Sequence, residues 1–157
     1  MSERTRVTAC VAVGANLGDA LEAVRQAVID LGRLPSTQVE LTSSFYRSAP
    51  YEAQGPDFIN AVVRMATGLT APDLLAALQA LESAAGRERP YLNAPRTLDL
   101  DLIFYGLACM DSPALTVPHP RWQERAFVLL PLAEVAPDRV TPAMLAAVAG
   151  QAIERVG

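Results

Sequence analysis

Apolar and polar positions follow two rhythms along this chain, one of period two and one near 3.6, and the switches between them outline a fold. Residues 7–13, Val-Thr-Ala-Cys-Val-Ala-Val, form an almost continuous apolar run of strand length, which predicts a buried strand. The turn Gly14-Ala15-Asn16-Leu17-Gly18-Asp19 follows. Asp19 is placed to cap a helix over 20–34 whose apolar stripe is Leu21, Val24, Val28 and Leu31. Pro35 and Ser36 end it. Residues 39–46 and 58–67 read as strands on either side of a Pro- and Gly-containing loop over 49–56. Thr70-Ala71-Pro72-Asp73 signals a second helix, which runs through Leu74, Leu75, Leu78 and Leu81 and ends near Gly86. A loop carrying Arg87, Arg89, Pro90, Pro95 and Arg96 precedes the clearest strand, 97–105. After a loop over 108–119, a helix is expected over 125–135 and a last one over 140–156.

The first four strands and two helices follow the order β-α-β-β-α-β. That order predicts an α+β protein with a ferredoxin-like core: an antiparallel sheet with helices packed on one face, plus C-terminal helical additions. The length of 157 residues suits one domain spanning 1–157, with no repeat or linker to divide it.

Composition narrows the chemistry. Hydrophobic residues make up 51% and charged residues 19%, which suits a folded core rather than disorder. No apolar run approaches the length of a membrane span, and Met1-Ser2-Glu3-Arg4 leads into a strand rather than a secretory leader, so a cytoplasmic location is expected. Cys10 and Cys109 sit in apolar stretches and read as two buried, reduced thiols. A net charge of −4 argues against a broad nucleic-acid or anionic-membrane surface. The chain contains no lysine; all 13 basic residues are arginine. Schiff-base chemistry and a lysine-bearing phosphate loop are thereby excluded, so phosphate binding would run through arginine, backbone amides or metal.

The segment Leu98-Asp99-Leu100-Asp101-Leu102-Ile103-Phe104 alternates with period two. Leu98, Leu100, Leu102 and Phe104 are expected to face the core. Asp99 and Asp101 would share the opposite face, with Cα atoms about 6.6 Å apart from the strand rise. Two ionised carboxylates that close repel one another, and a divalent cation such as Mg²⁺ removes the penalty. The simpler alternative is that both decorate the wet face of an amphipathic strand. Spacing leaves both readings open, although aspartate is disfavoured in strands and Arg96 lies just before this one.

Other residues divide the same way. His119, the sole histidine, lies in the stiff loop Val117-Pro118-His119-Pro120 and reads as a surface residue, a phosphate ligand or an acid. Arg121 and Arg125 follow it. Gln79 and Glu82 share a helix face, with solvent exposure the simpler reading. Phe58 and Phe127 are core candidates. Asn60 shares the strand face of Phe58, where a buried amide needs partners that a heterocyclic ligand could supply.

Ala94-Pro95-Arg96-Thr97-Leu98-Asp99-Leu100-Asp101-Leu102 resembles the signature of the 6-hydroxymethyl-7,8-dihydropterin pyrophosphokinases. Four further segments resemble that family in order: Val13-Gly14-Ala15-Asn16-Leu17-Gly18, Ser43-Ser44-Phe45-Tyr46-Arg47-Ser48-Ala49-Pro50, Pro56-Asp57-Phe58-Ile59-Asn60-Ala61 and Thr116-Val117-Pro118-His119-Pro120. Asn93 stands where some members carry an aromatic residue, and Ala114 where some carry an arginine.

The resemblance implies a ferredoxin-like fold and transfer of pyrophosphate from ATP to the pterin hydroxymethyl group, giving AMP, in folate biosynthesis. It implies that Asp99 and Asp101 bind two Mg²⁺ ions bridging the ATP phosphates. Arg87, Arg89, Arg96 and Arg125 would hold or steer phosphate charge, with Arg87 and Arg96 nearest the catalytic step. Gln79, Glu82, Leu102, Thr116 and His119 would line the nucleotide site. Phe58 and Phe127 would sandwich the pterin ring, and Asn60 with the backbone of Ser48 and Tyr51 would read its polar edge. The expected partners are those two small-molecule substrates, acting on a monomer. The competing expectation is a non-catalytic ferredoxin-like module that binds a small ligand.

Overall fold

A computed structural model describes residues 5–49, 56–85 and 98–156. The apolar run near the N-terminus becomes β1 (Val7–Ala15), two residues longer than its pattern suggested, and pairs on both sides. Asp19 Oδ1 accepts from the Glu22 amide and so starts α1 (Ala20–Gly32) as expected. Next come β2 (Thr37–Thr42), β3 (Phe45–Ser48) and β4 (Phe58–Thr67). Helix α2 (Ala71–Ala85) is opened by Thr70, whose Oγ1 accepts from the Asp73 amide. Strand β5 (Asp99–Tyr105) is followed by the small hairpin β6 (Met110–Asp111) and β7 (Thr116–Val117). A 3-10 turn, Trp122–Glu124, leads into α3 (Ala126–Val135); a second, Pro137–Arg139, precedes α4 (Pro142–Ala147) and β8 (Ile153–Val156).

The main sheet runs β5-β1-β4-β3-β8, with β2 also on β4, and every pairing is antiparallel. Taking β2 and β3 together, the order is fourth-first-third-second, the split βαβ arrangement expected from the element sequence. Alternate residues of β1 face opposite layers. Val11 and Val13 pack with Val24, Leu31, Leu74 and Leu78 of α1 and α2. Cys10 and Ala12 pack on the other side with Val128, Leu129 and Leu132 of α3. The C-terminal additions thus cover the second face of the sheet, which explains why α3 is apolar around most of its circumference.

Four expectations are corrected. The strand expected over 39–46 is two strands lying end to end against β4. Buried Ser43 separates them, exchanging bonds with the Val62 peptide through its own N–H and its Oγ, and the Ser44 amide turns to Glu134. The helix expected over 140–156 stops at Ala147, and Ile153–Val156 is a strand. Gly150 interrupts the helical pattern, and the outer edge of β3 offers unpaired backbone that β8 satisfies. Phe104 does not share the face of Leu102. A register shift opposite Cys10 and Val11 makes Ile103 an extra residue in β5, so Phe104 points into the α3 layer. There it meets Trp122 edge-on at 4.9 Å between ring centroids. Finally, Cys10 is buried as expected but Cys109 is exposed.

Candidate active site

Antiparallel register brings the chemistry into one row. Gly14 of β1 pairs with Asp99 of β5 on one side and with Asn60 of β4 on the other. One step along, Ala12 lies between Asp101 and Val62. Directly opposed residues of an antiparallel pair project to the same face. Asp99, Asp101 and Asn60 therefore share the face covered further along by α3. Beyond the N-terminal end of α3 that face stays open as a cavity of ≈ 210 Å³. Its wall includes Gly14, Ser48, Phe58, Asn60, Asp99, Asp101, Arg125 and Phe127.

The two ends of this cavity differ. At one, Asn60 is 4% exposed and donates from Nδ2 to Ser48 Oγ at 2.8 Å. In this arrangement the amide oxygen lies toward Gly14. Phe58 reaches the cavity from the sheet and Phe127 from α3. At the other end stand the two exposed carboxylates, Asp99 and Asp101, and the same wall carries Arg125. Arg125 Nε is buried with no hydrogen-bond partner, and its Cζ lies 5.5 Å from the Phe127 ring centroid. A buried N–H donor left unpaired is costly, and an anionic ligand would satisfy it.

His119 follows the cis Val117–Pro118 peptide. Its N–H donates to Ile103 O at 3.0 Å, so the extra residue in β5 anchors the histidine loop to the aspartate-bearing strand. Burial pushes the His119 ring below its ordinary value; Arg125 and Arg121 act in the same direction, against the pull of Asp101. Its Nδ1 accepts from the Arg121 amide, so the neutral ring carries its proton on Nε2.

The structure thus unites Ser48, Phe58, Asn60, Asp99, Asp101, Arg125 and Phe127 around one space. Gln79, Glu82, Leu102, Thr116 and His119 lie outside that lining. Gln79 is exposed on α2. Glu82 accepts from the Leu100 amide at 2.9 Å, closing part of the open edge of β5. Leu102 is buried under α1 and α2, so its backbone is what it can offer a ligand. Thr116 pairs with Asp111 in the small hairpin. Tyr51, Arg87, Arg89 and Arg96 lie outside the described residues. Gly14, read from the sequence as part of a turn, proves to be the cavity floor between Asp99 and Asn60. Glycine inside a strand pattern is the signal that points to such a close approach.

The chain is similar to known proteins along most of its length. A 2-amino-4-hydroxy-6-hydroxymethyldihydropteridine pyrophosphokinase of Synechocystis sp. is 46% identical over 85% of this chain and 69% of its own. An enzyme of the same name from Pseudomonas aeruginosa is 44% identical over 93% of this chain and 94% of its own. In fold, the chain matches the solved structure of wild-type Plasmodium falciparum HPPK-DHPS with a TM-score of 0.63 at 13% identity, over 84% of this chain. It spans 40% of that longer structure. The model of the 7,8-dihydro-6-hydroxymethylpterin-pyrophosphokinase family matches residues 10–137, and the chain belongs to that family.

Proposed function

We propose that this chain, as one domain and a cytoplasmic monomer, transfers the terminal pyrophosphoryl group of ATP to the hydroxymethyl oxygen of 6-hydroxymethyl-7,8-dihydropterin. The step belongs to folate biosynthesis. One observation carries the reading: a single cavity joins an end bearing the buried Asn60 amide and Phe58 to an end with two carboxylates, with Phe127 and Arg125, whose Nε has no partner, in the same wall. The first end suits a flat heterocycle with polar edges, and the second suits phosphate.

In the reaction a bond forms from the alcohol oxygen to the β-phosphorus of ATP. The bond from that phosphorus to the oxygen shared with the α-phosphorus breaks, AMP leaves, and the alcohol proton is released. Phe58 and Phe127 would hold the ring between them while Asn60 and Ser48 fix its rotation, so the alcohol stays in line with the phosphorus. Arg125 would meet charge on the phosphate oxygens. Arg87, Arg89 and Arg96 are assigned to the same task, with Gln79, Glu82, Leu102, Thr116 and His119 around the nucleotide and the Tyr51 backbone at the pterin edge.

The residues present also fit Mg²⁺. Asp99 and Asp101 are hard oxygen donors on one strand face at the cavity wall. Among the described residues no third carboxylate, histidine or cysteine joins them, which leaves coordination positions to water and phosphate oxygens. Two such ions would lower the charge of the triphosphate and orient it.

The test is to incubate the protein with ATP, Mg²⁺ and the pterin alcohol. AMP and pterin diphosphate should appear in equal amounts. Formation of ADP, or ligand binding with no AMP, would overturn the assignment. Asp99→Asn and Asp101→Asn should each lower turnover by roughly a hundredfold or more, with far-ultraviolet circular dichroism unchanged. Full activity in both would remove the metal assignment.

A further inference from the structure

Helix α3 carries one wall of the cavity, yet its first residue is not capped by the residue before it: Arg125 makes no side-chain capping bond. The opening amides of a helix have no partner within it. Here the Ala126 amide donates to Gln151 Oε1 at 2.9 Å. The same side chain donates from Nε2 to Glu124 O at 2.8 Å. One primary amide therefore grips the peptide groups on both sides of Arg125. Gln151 does not line the cavity, but Arg125 and Phe127 both do.

Gln151 is itself held. Its N–H donates to Val148 O at the end of α4, and two residues later β8 pairs with β3, which carries Ser48. Few side chains could replace it. The grip needs a donor and an acceptor on one short planar group. Glutamate keeps the acceptor alone and leucine keeps neither. Gln151 also lies beyond the residues 10–137 that match the family model, so this support comes from outside the matched segment.

We propose that Gln151 is a positioning residue, setting the backbone angle at which Arg125 and Phe127 enter the cavity. The proposal rests on the substrate reading given above. In the full-length chain, Gln151→Leu should reduce kcat/KM by roughly ten- to a hundredfold, as expected for a displacement of about 1 Å at the site. The pterin KM should rise and kcat should fall. Gln151→Glu should recover part of the loss, because a carboxylate at a helix N-terminus still accepts from Ala126. Amide exchange at Ala126 should quicken in Gln151→Leu and not in Gln151→Glu.

Thr141→Ala is the comparator. It removes the cap of α4, where Thr141 accepts from the Met144 amide, without touching the cavity. Equal loss of kcat/KM in Thr141→Ala and Gln151→Leu would reduce the role of Gln151 to general stability and overturn the proposal. Unchanged kcat/KM in Gln151→Leu, or unchanged exchange at Ala126, would overturn it as well. If the unaltered protein forms no AMP, the substrate reading fails by itself. The proposal then stands or falls on whether the Arg125 Nε–H and Phe127 ring resonances move in Gln151→Leu and return in part in Gln151→Glu.

Discussion

Gly14 stands opposite Asn60 across β1 and β4, and a Cβ placed on Gly14 would lie 3.3 Å from Asn60 Oδ1. The missing side chain is what lets the buried amide and Asp99 share one floor. Gly14→Ala should therefore push the amide out of register with Ser48. Overpacking of this kind costs about 1–3 kcal/mol. The pterin KM should rise several-fold to tenfold, with a smaller effect on the ATP KM. Steady-state kinetics with each substrate varied in turn will show it; equal effects on both substrates, or none, would contradict the close approach.

Tyr46 and Glu134 tie the C-terminal end of α3 to the sheet. The Tyr46 hydroxyl donates to one Glu134 oxygen, and the other accepts from the Ser44 amide at 2.8 Å. Burial would raise the Glu134 pKa, but bonds from Tyr46 and Ser44 and the charge of Arg155 outweigh it, so the carboxyl sits below its ordinary value. Burial, then the bond to Glu134, push Tyr46 up to about 12. The signs follow from linkage. Glu134 contributes stability above its unfolded value of about 4.3, and that contribution is lost as pH falls through the lower folded value. Tyr46 contributes below its unfolded value of about 10, and that contribution is lost as pH rises toward about 12. Tyr46→Phe should cost about 1–3 kcal/mol at neutral pH. Urea denaturation should show a smaller difference from the unaltered protein below the ordinary glutamate range. A difference that does not change with pH would rule out the ionised pair.

The two cysteines should behave differently. Burial pushes Cys10 up to about 11, and the nearby Arg139 and Arg64 only partly offset it. Cys109 is exposed. Because the thiolate is the nucleophile, iodoacetamide at mildly alkaline pH should label Cys109 quickly and Cys10 only as the protein unfolds. Peptide mapping by mass spectrometry will read this; comparable rates at both would contradict the packing of Cys10. Since the folded pKa is the higher one, the contribution of buried Cys10 is complete below about 8.5 and is lost as pH rises toward about 11.

Much of the fold is legible locally. Asp19 caps the helix it is placed to cap, and the Thr70-Ala71-Pro72-Asp73 signal opens the second helix through Thr70, because a cap needs only a side-chain oxygen and an amide three residues on. Strand β4 begins and ends where its apolar pattern does. Phe104 fails the same reasoning because one extra residue shifts a period-two pattern, and the shift shows only against the partner strand. Strand β8 fails it because four residues carry little pattern and their state is decided by β3, about a hundred residues earlier.

The sequence by itself determined the chemical inventory: paired aspartates two residues apart, arginine as the sole strong cation, and a β-α-β-β-α-β order. Those depend on identity and short-range spacing, which a chain carries before it folds. Tertiary structure alone decided that Gly14 lies between Asp99 and Asn60, that Arg125 and Phe127 close the same cavity, and that Gln151 holds them there. Each of these follows from strand order, register or docking of the C-terminal segment. Such long-range pairings are set by burying both faces of the sheet and satisfying its edges, a balance that no local pattern contains.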